Sequence, residues 1–446
     1  MTIMARRSCC IAFAQAALLS ACLSGCQSPS GNSLAHSRPA GPLPARVEPQ
    51  QTAPTAAALI STYVAIAQAS YGDALLTGRE LEAAVQQFLD HPAAASLASA
   101  RAAWRAARIP YLQTEVFRFG NPVVDEWEPR VNSWPLDAGL IDYVAASYGT
   151  KSDNNNFYTA NVIANPLLDI GGISVDAGNL SPQFLAETLQ NIDGVDTNVA
   201  TGYHVIEFLL WGQDLHGTHA GAGERPWTDY DLASCTHSHC ERRRTYLESA
   251  THLLVSDLDE MVQSWQSGGR AYEALMATGD EGGLATQLTG MGSLAYGELA
   301  GKNLRLALLS HDPEAEQDGF SDQTLWSHYY NNRGIRNLWQ GRYVRANGTM
   351  VSGPSLETFL RANAPAIHAE MNAKVETTDL AMEALVQQGS AYDMLIATGN
   401  SQGETLINNT VQALMEETHS LEKIISTLGL QNVSIKGSDS LAAPAH

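Results

Sequence analysis

Positive charge is what this sequence lacks most. Its 446 residues carry 26 Lys and Arg against 47 Asp and Glu, a formal charge of −21. So acidic a chain offers no general basic surface to nucleic acid or anionic lipid. Cysteine is scarce as well, and four of the six lie before residue 27, which excludes a fold framed by several disulfides. Beyond the amino terminus no apolar run is long enough to span a bilayer. Period-two alternation is rare, which argues against a sheet-based body. The sequence also has no nucleophile elbow, P-loop or dinucleotide fingerprint, and no HExxH pair with a glutamate beside its first histidine.

What is present starts with a processing signal. Arg6 and Arg7 precede the apolar run "IAFAQAALLSACLSGC", so residues 1–25 read as a lipoprotein signal peptide. Small residues before a cysteine suit a thiol that receives diacylglycerol; Cys26 is the expected acceptor and Cys22 the alternative. Residues 26–54, rich in Pro, Ser, Ala and Gln, have little to bury and read as a disordered tether. Gln27 gives no inner-membrane retention signal. The expected location is therefore the periplasmic face of the outer membrane, held by lipid.

From residue 55 the apolar spacing is helical almost throughout. Ile407, Val411, Leu414, Leu421, Ile425 and Leu428 recur at steps of three, four or seven. "SARAAWRAARIPYLQTEVFRF", "RRRTYLESATHLLVSDLDEMVQSW" and the segment 356–388 follow the same rhythm. A repeat strengthens the picture: Gly269, Ala271, Tyr272, Leu275, Ala277, Thr278 and Gly279 return, 120 positions later, as Gly389, Ala391, Tyr392, Leu395, Ala397, Thr398 and Gly399. "ASYGDALLTG" at 69–78 is a fainter echo. The expected fold is all-α: two related antiparallel helical bundles, 55–245 and 246–430, followed by a flexible tail at 431–446. A loop-rich insertion, about 120–178, interrupts the first bundle with Pro, Asn, Gly and Trp.

One stretch combines burial with chemistry. In "ATGYHVIEFLLWGQDLHG" (200–217), His204 and Glu207 stand three residues apart in an apolar run, and so share one helical face. A buried carboxylate needs a partner: a metal ion, a cation from elsewhere, or the histidine itself. Helical bundles hold metals with this spacing, often in the reversed order. Glu115 lies in another apolar helical stretch with Arg118 as a local partner, and Asp125 and Asp137 follow in the loop as further oxygen donors. His216 and His219 sit beyond a glycine and read as solvated. "SHDPEAEQDGFSDQT" (310–324) reads as a solvated acidic loop, since Gln317 and Gln323 replace the glycine and glutamate of a calcium loop. Cys235 and Cys240 are expected to form a disulfide in an oxidising compartment. The alternative is a metal clip with His237 and His239.

With these residues in view, the chain resembles the imelysin family. "GYHVIEFLLWGQDLHG" carries its GxHxxE motif as Gly202, His204 and Glu207. "PYLQTEVFRFGNPVVDEWE", "NSWPLDAGLIDYV", "GAGERPWTDY", "ERRRTYL" and "GELAGKNLRLAL" follow in the family's order. The iron-regulated imelysin-like lipoproteins are the most similar subgroup. The resemblance implies two helical bundles with related folds and a site near their interface. It also implies iron uptake or handling with iron-transport components as partners, or else the metallopeptidase activity for which the family was first described, with Glu207 as base. A non-catalytic envelope-binding protein is the third reading. The expected ligands are His204, Glu207, Glu115 and Asp125, with Gly202 admitting a close backbone. Iron is the expected ion; zinc or manganese would also suit the donors. The chain departs from the pattern at "EQDGFSDQTLW", where similar members carry a cysteine and a histidine.

Overall fold

The computed structural model describes residues 53–442, so the signal peptide, both candidate lipidation cysteines and nearly all of the tether lie outside the described residues. The body opens on a long helix, α1 (Ala56–Asp90), whose first turn is capped by the Thr55 hydroxyl accepting from the Ala58 amide. Helix α2 (Ala94–Leu112) runs back along it. It ends at Leu112, short of the continuation the spacing predicts, with Pro110 in its last turn lacking an N–H for the ladder. The chain then makes a 3-10 turn, Glu115–Phe117.

The loop-rich insertion is irregular but anchored. It holds α3 (Pro122–Trp127), α4 (Pro129–Asn132), a small hairpin of β1 (Leu167–Ile170) and β2 (Ile173–Asp176), and the single turn α5 (Pro182–Phe184). Helix α6 (Tyr203–Trp211) carries the HxxE pair, and α7 (Cys240–Ser264) packs on α1. Asp142 in the insertion accepts from Arg225 (2.6 Å) and from Arg243 Nε on α7 (2.6 Å), all of them buried. The segments "NSWPLDAGLIDYV", "GAGERPWTDY" and "ERRRTYL" thus hold the insertion to the helices. Cys235 and Cys240 are joined by a disulfide that ties the first residue of α7 to the segment before it.

Next come α8 (Arg270–Met276), α9 (Gly279–Ser293), a π-helical stretch Leu294–Arg305, and α10 (Leu306–Ser310). Helix α11 (Thr324–Gln340) leads into a hairpin of β3 (Arg342–Val344) and β4 (Met350–Ser352). The segment expected as one helix over 356–388 is two, α12 (Leu356–Asn363) and α13 (Pro365–Gln387), because Pro365 can only begin a helix. α14 (Tyr392–Ile396) and α15 (Ser401–Leu428) complete the second layer, where α11, α13, α15 and the π-stretch pack together. The fold is all-α, with only the two short hairpins as strands among the described residues.

The repeat has a structural counterpart: α8 into α9 and α14 into α15 are both a short helix, a turn with a positive-φ glycine (Gly279, Gly399), and a long helix. The echo at 69–78 lies mid-helix in α1 and has no such turn. Two expectations need correction. The boundary at 245 falls inside α7, and one continuous core joins residues from Leu59 to Leu430. The tail from 431 is packed rather than free as far as it is described. The Lys436 amide donates to Ser293 Oγ (3.0 Å), and Ser440 donates to the Gly301 carbonyl (2.8 Å).

Candidate metal centre

Nine consecutive residues of α6 are buried, so this helix is enclosed on every side. Glycines punctuate it. Gly202 precedes its first turn at φ 89°, and Gly212 ends it at φ 73°. A Cβ on Gly202 would stand 2.4 Å from the Val131 carbonyl oxygen, so a bare backbone is what lets α6 lie against α4.

His204 and Glu207 point the same way. The imidazole Nδ1 lies 3.2 Å from Glu207 Oε2 and 3.2 Å from Asp318 Oδ1. His204, Glu207 and Asp318 are the one such trio among the described residues, each offering a ligand atom within 4.8 Å of the others. All three are at most 1 % exposed. Asp318 comes from the acidic segment expected to be solvated. That segment instead folds inward: Phe320 packs on Phe208 of α6, and the Ser321 amide donates to Glu207 Oε1 (2.9 Å). An apolar contact pulls the loop down, and a backbone amide secures it to the motif glutamate.

The electrostatics are set by burial. Desolvation pushes His204 down to about 3, so the imidazole is neutral. Burial and the neighbouring Asp318 charge push Glu207 well above the usual carboxylate range. Burial opposes ionisation of Asp318 too, but the Arg108 charge, with hydrogen bonds from Ser327 and Arg108, outweighs it and holds that carboxyl below its ordinary value. Arg108, 2 % exposed, places Nη2 2.9 Å from both Asp318 oxygens, and Ser327 donates to Oδ2. The resting arrangement therefore contains one buried ion pair, Arg108–Asp318, a neutral imidazole, and a glutamate that burial biases toward its uncharged form.

Spacings of 3.2 Å match the edges of a coordination polyhedron: ligands about 2.1 Å from a metal lie roughly 3.0–3.4 Å apart. The donor set, one imidazole nitrogen and two carboxylates, suits iron, manganese or zinc. His204 Nε2 is buried without a partner, as is Arg108 Nε. Against the fit stands Arg108, which competes with any cation for Asp318.

The other expected ligands lie elsewhere. Glu115 accepts from Asn132 Nδ2 (3.2 Å) and sits 4.0 Å from Arg118, one layer behind the trio; Asn132 in turn accepts from Arg108 (2.6 Å). Asp125 pairs with Arg118 (3.0 Å) and Lys436 (3.2 Å) near the surface. Neither gives an atom to the cluster, because local cations claim both. Asp137 accepts from Thr197 (2.6 Å). His216 pairs with Asp214 (2.8 Å), and His237 with Asp229 (2.6 Å). Spacing arguments missed Asp318 and Arg108. The one local sign was Phe320, an apolar residue between two aspartates.

A family model described as imelysin matches residues 67–421. The chain is 34% identical over 92 residues to "Iron-regulated protein A" of Synechococcus elongatus; the match covers 20% of this chain and 26% of that protein. It thus spans about a quarter of that relative's length. A crystal structure described as an iron-regulated protein A precursor from Parabacteroides distasonis superposes with a TM-score of 0.61. It covers 84% of this chain and 96% of the other, at 20% identity, a likeness of fold.

Proposed function

The chain belongs to the imelysin family, and we propose that it is an iron-handling member that binds one metal ion through His204, Glu207 and Asp318. The convergence of three buried ligand atoms within 4.8 Å carries this reading. The ion is cargo, and its charge would offset the cost of burying the Glu207 carboxylate. Iron is favoured over zinc because two relatives are named as iron-regulated. The sequence reading adds an amino-terminal lipid at Cys26 and a post on the periplasmic face of the outer membrane, where transport components would receive the ion. Hydrolysis is less well supported: as its base, Glu207 would have to meet a substrate, yet it is fully buried against His204 and Ser321.

The test is elemental analysis of the protein purified from the periplasm, beside His204→Ala. About one metal ion per chain, lost in the variant, is expected. Metal content equal in the two proteins overturns the assignment.

A further inference from the structure

Arg108 looks out of place beside a cation site, yet it also lines a second feature. A cavity of about 210 Å³ is lined by Trp104, Arg105, Arg108, Trp326, Ser327 and Tyr330. Its lining contains two guanidiniums and no carboxylate. Arg105 makes no hydrogen bond or ion pair among the described residues; its guanidinium lies 5.0 Å from the Trp211 ring. Arg108 is satisfied by Asp318 and Asn132 through its terminal nitrogens, but its Nε is buried without a partner. The remaining walls are aromatic and apolar apart from Gln323 and Ser327. Trp326, 44% exposed, stands at the rim with its ring stacked 6.1 Å from Tyr330.

Two cationic residues in the lining of a largely aromatic slot are the complement of a flat anion. We propose that this cavity binds a small aromatic carboxylate, its ring between the aromatic walls and its carboxylate on Arg105 and Arg108, and that this anion releases Asp318 for the metal ion. The volume admits a single ring, being below the roughly 300 Å³ at which pockets for drug-sized ligands begin. Coupling to the metal follows from who shares Arg108. Without an anion, Arg108 and Ser327 occupy both Asp318 oxygens. A carboxylate in the cavity draws the guanidinium toward itself and leaves those lone pairs free for a cation. The anion also balances the charge a divalent ion adds to the site. Metal and anion therefore tighten one another's binding by the same factor, as linkage requires. The coupling rests on the metal site proposed above; the anion cavity does not.

Benzoate and Co(II) serve as probes, titrated calorimetrically into the full chain, each alone and each with the other saturating. The expected result is benzoate binding that Arg105→Gln weakens at least tenfold with the fold intact by circular dichroism, and a mutual tightening of at least tenfold. Failure of benzoate to bind, or binding indifferent to Arg105→Gln, overturns the anion site while Co(II) binding leaves the metal reading standing. Benzoate binding that leaves the Co(II) affinity unchanged overturns the release of Asp318. If Co(II) binds under no condition, the metal reading fails and the coupling with it, and the Arg105→Gln comparison still decides the cavity.

Discussion

Replacing Gly202 by alanine tests whether the motif glycine is there for the backbone. Two costs arise. First, Gly202 sits at φ 89°, ψ −171°, a region essentially closed to residues with a Cβ and worth about 1–3 kcal/mol of strain. Second, the new methyl would lie 2.4 Å from the Val131 carbonyl oxygen, 2.5 Å from its carbon and 2.9 Å from its Cα. All three are backbone atoms, so no rotamer change relieves the contact. Either α4 or α6 must shift, and overpacking of this kind costs about 1–3 kcal/mol. Together the loss is roughly 2–6 kcal/mol, a large share of the about 5–15 kcal/mol that holds a folded protein together. Urea unfolding followed by fluorescence of the eight tryptophans measures it. A loss below about 1 kcal/mol refutes the reasoning, because it means that α6 and α4 can separate freely.

Glu417, on α15, is 1% exposed, and neither carboxyl oxygen has a partner; the Thr378 hydroxyl donates to the Lys374 carbonyl instead. Burial pushes Glu417 up to about 7. A carboxyl raised in the folded state lends stability that is complete below its unfolded value near 4.3 and is lost as pH rises through 7. Glu417→Gln should therefore stabilise the protein by roughly 3 kcal/mol at pH 8 and change little at pH 4; an equal effect at both values in chemical denaturation contradicts this. Asp142 runs the other way. Burial opposes its charge, but Arg225 and Arg243 outweigh burial and hold it below the ordinary range, so its contribution is present at neutral pH and lost as pH falls through the folded value. Asp142→Ala, which leaves the buried Arg243 with backbone carbonyls alone and Arg225 with Asp229 as its one remaining carboxylate, should cost about 3–5 kcal/mol. Asp125→Ala, at a surface pair, should stay within about 0.5 kcal/mol, and similar losses in the two would show that burial does not decide the difference.

Much of the fold was legible in the sequence because helical periodicity is a local signal. The spacing of Ile407, Val411 and Leu414 is enough to place α15, and the His204–Glu207 face follows from 3.6 residues per turn. Where the reading stopped short, proline or long-range contact decided. Pro365 sets a helix start that apolar spacing overruns, and α2 ends at Leu112, within a turn of Pro110. Asp318 is more than a hundred positions from Glu207, and beyond the neighbouring Phe320 nothing local separates an aspartate that folds inward from the exposed Asp312 near it. Glu115 shows the converse. Its apolar surroundings mark it as buried, which it is, but its partners Arg118 and Asn132 lie within a short stretch of chain and keep it from the site. The tail failed as an expectation because polar composition does not reveal a groove along 292–301 that accepts it.

The most direct test is a crystal of the full chain grown with iron, with anomalous difference density measured on either side of the iron edge. The account predicts one peak within about 2.0–2.3 Å of a His204 ring nitrogen, Glu207 and Asp318, with Arg108 no longer holding both Asp318 oxygens. No peak at saturating iron, with the Arg108–Asp318 pair unchanged, would contradict it.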